Sequence, residues 1–290
     1  MKLLIINKKA ISLLAVFLLL FTFCIVNIIM GDQEQAQASI PYNETVRLPV
    51  LMYHSVCNRN DIKSEYILPV QTFREDMQYL KENGYTSIFA SELINYVYNE
   101  GNLPAKPVMI TFDDGYLNNL TNVLPVLEEY NMKAVISVVG LFTEKFSSTN
   151  DRNELYSHLT WEDIIALKNS GLVEIGNHTY DMHNLSPRKG CLRLKNETKD
   201  AYINVLKEDV GRLQTLLGEK VGLTPTVFAY PYGAISEDSV DVLHDLGFKT
   251  LLTCYEKMNY ITKDPECLDC IYRYNRKSGI STKAFMNKIE

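Results

Sequence analysis

Two adjacent carboxylates, Asp113 and Asp114, follow the apolar run Pro107–Phe112 (PVMITF) and precede Gly115. Neighbouring side chains at a strand end point in different directions. Aimed at one spot, the two carboxylates would repel and one would take up a proton. Aimed apart, one can ligate a metal ion while the other serves as a base beside it. Gly115 permits a tight turn directly after them. The bland alternative is an Asp-Asp-Gly surface turn, and the apolar run before the pair argues against it.

His178 and His183 form the second cluster, two of only five histidines in the chain. Five residues apart, they would lie about 140° off a common helix face, so a regular helix cannot make them chelate. A loop can, and Gly176, Asn177 and Asn184 around them are loop residues. Two neutral imidazoles plus one carboxylate make a three-ligand divalent site with open positions, the catalytic type for zinc. Such an ion lowers the pKa of a bound water toward about 7. Two exposed loop histidines are the alternative.

These groups need a frame. The sequence alternates short apolar runs with amphipathic stretches. Strands are expected at 49–56, 107–112, 133–139, 173–176, 226–229, 249–253 and 270–274. Helices are expected at 72–83, 91–99, 118–130, 161–169 (capped by Thr160), 197–217 and 236–246. Strands apolar on both faces, alternating with helices, imply a parallel sheet. Seven or so repeats in about 240 residues favour an α/β fold of the distorted (β/α)7–8 barrel type. Reactive groups in such a barrel sit at the C-terminal strand ends. His54, Asp113 with Asp114, His178 with His183, and Tyr232 each follow an expected strand, so four strand ends converge on one rim. His244 has helical spacing with Val240, Leu243 and Leu246 and is expected away from the rim. His158 precedes a helix start and is expected to be structural.

Lys2, Lys8 and Lys9 precede Ile11–Met30, a run without any charge. At ~1.5 Å per residue it would span a ~30 Å hydrocarbon core. Residues 1–30 are therefore expected to be a membrane anchor or a signal peptide, the latter cut after Ala36-Gln37-Ala38. Both readings export the rest, to the outer face of the cell membrane or beyond it. Residues 31–47 read as a linker and 48–290 as the domain. The net charge of −6 comes without a Lys/Arg cluster, which argues against a nucleic-acid partner. A composition 46% hydrophobic excludes disordered and collagen-like chains. Past the N-terminal segment, which holds Cys24, the exported part keeps Cys57, Cys191, Cys254, Cys267 and Cys270, an odd number, so at least one thiol there is unpaired or bonds between molecules. Cys267-x-x-Cys270 reads as a local disulfide or two free thiols, because no second CxxC exists to complete a zinc knuckle.

Thr111-Phe112-Asp113-Asp114-Gly115-Tyr116, then His178-Thr179 and His183-Asn184-Leu185, then Ala229-Tyr230-Pro231-Tyr232-Gly233 resemble, in that order, the motifs of the polysaccharide deacetylases (carbohydrate esterase family 4, NodB homology). The resemblance runs from about Leu48 to Ile289. Three departures stand out. The histidine interval is one residue longer than H-x-x-x-H. The Arg that commonly opens the Pro-Tyr motif is replaced near Ala229. The last strand, CIYRYN, lacks the usual acid-bearing histidine. Together with Leu51-Met52-Tyr53-His54, these departures resemble the branch that de-N-acetylates poly-β-1,6-N-acetylglucosamine of biofilm exopolysaccharide, a circularly permuted barrel whose acid comes from the N-terminal strand.

The resemblance implies a hydrolase of non-peptide amides with Asp114, His178 and His183 on the metal, zinc foremost and cobalt or nickel also suited. It implies Asp113 as general base, the Tyr232 backbone N–H in the oxyanion hole and His54 as general acid. The chemistry agrees: an amide needs a nucleophile, a Lewis acid at its carbonyl and a proton for nitrogen. Tyr53, Tyr116, Tyr180 and Tyr232 could stack on sugar rings, with core packing as the alternative for each. Peptidoglycan or chitin-type oligomers remain alternative substrates. A non-catalytic glycan-binding relative is the alternative of another class, and it predicts a damaged base, ligand or acid.

Overall fold

The computed structural model describes residues 45–58 and 64–290, and the backbone of 39–40. Eight parallel strands build the frame: β1 (Val50–Tyr53), β2 (Thr86–Ser87), β3 (Pro107–Phe112), β4 (Ala134–Val138), β5 (Val173–Asn177), β6 (Val227–Ala229), β7 (Thr250–Leu252) and β8 (Tyr274–Asn275). They pair in the order 7-6-5-4-3-1-8, with β2 alongside β3. A parallel bridge from Leu252 to Ile271, just upstream of β8, brings the two ends of the sheet together. The sheet is thus a distorted barrel, as the repeat count predicts. Helices α1 (Val70–Glu82), α2 (Ala90–Tyr98), α3 (Leu124–Tyr130), α4 (Gly140–Thr149), α5 (Trp161–Asn169), α6 (Lys199–Val221), α7 (Ser239–Asp245) and α8 (Thr282–Met286) accompany the strands.

Every residue of β3 and β4 is buried. That two-sided burial is why both read as unbroken apolar runs. Leu51, Tyr53, Ile110, Phe112 and Ile136 pack with α1, α3 and α5 through Phe73, Met77, Leu127 and Ile164. The alternate residues Val50, Met109, Val135, Val227 and Leu252 form a second cluster that fills the inside of the curl. Phe228, Tyr230 and Leu251 face α6 and α7.

Several elements differ from expectation for identifiable reasons. The strand expected at 49–56 is two, Val50–Tyr53 and Ser55–Cys57, with His54 at the break. The helix expected at 118–130 opens with a wide π turn at Asn119–Val123 before α3. Two buried side chains account for it. Asn118 Oδ1 accepts the Val56 amide at 3.0 Å, and Asn119 Nδ2 donates to the His54 carbonyl at 2.9 Å. The wide turn lets both asparagines reach back to the segment bearing His54, a common use of π turns beside functional groups. The last strand starts at Tyr274, not Cys270. The end of the expected linker, Val46 and Arg47, is part of the domain: with Leu48 it pairs antiparallel with Asn259–Ile261, and Val46 and Leu48 are buried. Cys191, Cys254, Cys267 and Cys270 are free thiols. Among the described residues no helix is long and apolar enough to cross a membrane. The run Ile11–Met30 and the Ala36–Ala38 site lie outside those residues.

A buried ion pair fastens β8 to α1. Arg276 Nε donates to Asp76 Oδ2 at 2.7 Å and Nη2 to Oδ1 at 3.1 Å. Tyr53 and Thr282 hydroxyls donate to the same carboxylate, at 3.1 and 2.6 Å. Asp76→Ala would strand the guanidinium in the core, and such a loss costs about 3–5 kcal/mol. Urea unfolding should show that drop, while Asp76→Ala keeps every residue of the rim site.

Candidate active site

The Asp113 amide donates to the Tyr53 carbonyl at 3.0 Å, so Asp113 continues the β3 ladder and its side chain faces inward. Asp114 then adopts φ +70° and Gly115 φ +66°. A Cβ on Gly115 would sit 2.9 Å from Val138 Cγ1, so only glycine fits. Two left-handed residues in a row turn the chain sharply and send the two carboxylates to different partners.

Asp113 meets Arg273 of the last strand segment in a fully buried, bidentate pair, Nη1–Oδ1 2.7 Å and Nη2–Oδ2 2.8 Å. Arg273 also donates to Thr253 O at 2.7 Å and Thr111 Oγ1 at 3.2 Å. Burial pushes the Asp113 pKa up, but Arg273, with His178 and His54 adding to it, holds the carboxyl below its ordinary value. Asp114 instead faces two imidazoles, with Oδ1 3.0 Å from His183 Nε2 and 3.5 Å from His178 Nε2.

The donor set fits a divalent cation. One donor atom each from Asp114, His178 and His183 lie within 4.8 Å of one another. His178 Nδ1 lies 2.7 Å from the Ala229 carbonyl, which only accepts. Its proton is therefore on Nδ1, and the Nε2 lone pair points toward Asp114. A carbonyl behind a ligating imidazole is the usual outer partner of a metal site. Asp114 Oδ1 is buried without a hydrogen-bond donor among the described residues. A buried carboxylate oxygen facing the His178 lone pair and a second imidazole suits a divalent cation held between them.

A cavity of about 800 Å³ opens over these groups. His54, Asp113, Asp114, His178, His183 and Tyr232 all line it, so the structure brings every expected site residue to one rim. His54 is pressed toward its neutral form by burial, against the pull of Asp114 and Asp113. Tyr232 is left-handed (φ +60°), and its hydroxyl lies 3.3 Å from His183 Nδ1. Of the candidate stacking tyrosines, Tyr116 and Tyr232 line the cavity. Tyr53 is a core residue packed on Phe73 and Phe112. Tyr180 stacks beneath Arg212, 3.6 Å from its ring centroid. His158 lies against Tyr116 and Phe142, and burial lowers its pKa to about 4. His244 pairs with Asp269 at 2.8 Å and does not line the cavity.

Arg273 is the site residue that sequence reasoning missed. Its signal was a lone cation inside the apolar run CIYRYN. With no arginine near Ala229, the cation beside Asp113 has to come from another strand.

Residues 100–251, more than half the chain, match the family model described as polysaccharide deacetylase. The chain belongs to the polysaccharide deacetylase family. A Bacillus subtilis protein named as a polysaccharide deacetylase, YxkH, is 26% identical over 262 residues, 90% of this chain and 83% of that relative. The poly-β-1,6-N-acetyl-D-glucosamine N-deacetylase of Escherichia coli K12 is 26% identical across 98% of this chain, which spans only 45% of that protein. Among solved structures, a de-N-acetylase from Aggregatibacter actinomycetemcomitans superposes with TM-score 0.69 at 26% identity, over 83% of this chain and 100% of that one. IcaB from Ammonifex degensii gives 0.68 at 25%, over 85% and 97%.

Metal titration of the purified protein followed by Co²⁺ absorption should separate the two carboxylates. Asp114→Ala, His178→Ala and His183→Ala should each weaken binding beyond the about 10–100-fold typical of losing an outer partner. Asp113→Asn should bind nearly as wild type. The reverse pattern would overturn the ligand assignment.

Proposed function

We propose that this chain is an exported, metal-dependent N-deacetylase acting on poly-β-1,6-N-acetylglucosamine. The carrying observation is where the site's outermost parts originate. The ligand set and Asp113 lie inside the family-matched span 100–251, whereas His54 and Arg273 come from strand segments on either side of it. The relatives named for this polymer support the substrate, and the charge-free run Ile11–Met30 supports export.

Asp114, His178 and His183 would hold the cation, zinc foremost, with cobalt and nickel also matching the donor set. When bound, it supplies a Lewis acid and makes a water more acidic. Asp113, kept ionised by Arg273, takes the proton from the attacking water. The Tyr232 amide helps hold the developing oxyanion. His54, across the cavity, delivers a proton to the departing amine. Burial makes its imidazolium a ready donor. Base, ligands and acid are all present, which disfavours a binding-only relative. The replaced Arg and the longer histidine interval disfavour peptidoglycan and chitin-type substrates.

Acetate release from β-1,6- and β-1,4-linked N-acetylglucosamine oligomers, with and without chelator, tests this reading. Release is expected from the β-1,6 oligomer and should stop with chelator. Release from the β-1,4 oligomer alone would overturn the substrate assignment. Asp113→Asn should cost about 10²–10⁴-fold in turnover. Arg273→Met removes the charge that lowers the Asp113 pKa. That pKa then rises, the base ionises only at higher pH, and the acid limb of the kcat/KM profile should move upward.

A further inference from the structure

Helix α6 carries no ligand, yet it grips the loop that carries two. Asp209 Oδ1 accepts the Tyr180 amide at 2.8 Å, and Oδ2 accepts the Asp181 amide at 2.8 Å. Both amides lie between His178 and His183. Hydrogen bonds to an ionised acceptor are roughly twice as strong as neutral ones. The loop's carbonyls are held by α4, where Gly140 N donates to Thr179 O at 3.0 Å and Leu141 N to Tyr180 O at 2.8 Å. Upstream, Asn177 Oδ1 accepts the Thr179 amide at 2.8 Å, and Asn177 Nδ2 donates to Val210 O of α6 at 3.2 Å. Consecutive peptides are therefore pinned from opposite sides.

This matters because the loop is under strain and one residue longer than the usual histidine interval. Thr179 has φ +72°, which a non-glycine residue keeps only when its surroundings impose it. Two successive amides of this loop face α6, and one carboxylate takes both. We infer that Asp209 is a positioning residue of the candidate metal centre: its carboxylate pre-shapes the His178–His183 loop so that both Nε2 atoms meet Asp114 before an ion arrives. The inference rests on the metal-site reading above. Asparagine cannot replace Asp209, because its amide NH2 would face one of the two backbone donors.

The test uses the full chain in detergent, freed of metal and titrated with Co²⁺, for wild type, Asp209→Asn, Asp209→Ala and Thr198→Ala. Thr198 caps α6, its Oγ1 accepting the Ala201 amide at 3.2 Å, and does not touch the loop. Thr198→Ala therefore reports what weakening α6 alone does. Both Asp209 variants should bind Co²⁺ about 10–100-fold more weakly, the range for lost outer partners. Hydrogen exchange at Tyr180 and Asp181 should quicken in the metal-free protein. Thr198→Ala should keep the wild-type affinity. Wild-type affinity in Asp209→Ala would overturn the inference alone, as would an equal loss in Thr198→Ala. Failure of the wild type to bind Co²⁺ would overturn the metal reading and this inference with it.

Discussion

Two carboxylates adjacent in sequence and both buried can stay ionised together only if each has its own cation. Asp113 receives one from the protein, a guanidinium in bidentate contact and fully buried. Asp114 has no guanidinium or ammonium beside it among the described residues, and faces two imidazole nitrogens instead. That asymmetry supports the proposed division of roles. A carboxylate already neutralised by a fixed arginine stays available as a base. A carboxylate with no protein cation completes a ligand set. The left-handed turn at Asp114 and Gly115 makes the division possible, because it sends the second side chain away from the first partner.

The division also depends on closing the sheet. β1 and β8 pair directly, Leu51 with Tyr274 and Met52 with Asn275. His54 lies just past one of these strands and Arg273 just before the other. The Arg276–Asp76 pair then locks β8 onto α1. The two site residues outside the family-matched span therefore sit at the seam where the two ends of the domain meet. A chain that failed to dock its last strand would keep the three candidate ligands but lose the guanidinium beside Asp113.

What was legible in the sequence was local. PVMITF ends where the strand ends because both its faces are buried, and Thr160 caps α5 with the reciprocal Asp163 bonds that its spacing allows. Asp113, Asp114, His178 and His183 stood out because polar residues closely followed apolar runs. What was not legible was long-range. Nothing near Arg273 indicates a partner 160 residues away. Val46 and Arg47 read as linker until their pairing with Tyr260 and Ile261 is seen. The π turn follows from asparagine side chains reaching a segment more than 60 residues upstream. Spacing rules report what a segment can do alone, and these features arise between segments.

The backbone carries a cost at the same place. Among the described residues, five non-glycines are left-handed, and Asn131 and Asn150 among them merely end helices. The other three are Asp114, Thr179 and Tyr232, each part of the site or its loop. Each such residue costs on the order of 1–3 kcal/mol, against the 5–15 kcal/mol typical of a whole domain's stability. Strain on this scale survives only where neighbours over-determine the conformation. The neighbours here are the Asn177 side chain at Thr179, the α4 amides, and Cys254, which packs so close to Gly233 that a Cβ there would lie 2.9 Å from its own. A functional rim built from disfavoured backbone therefore requires a saturated set of contacts beneath it, and the stability of the barrel and the geometry of the site are maintained by the same bonds.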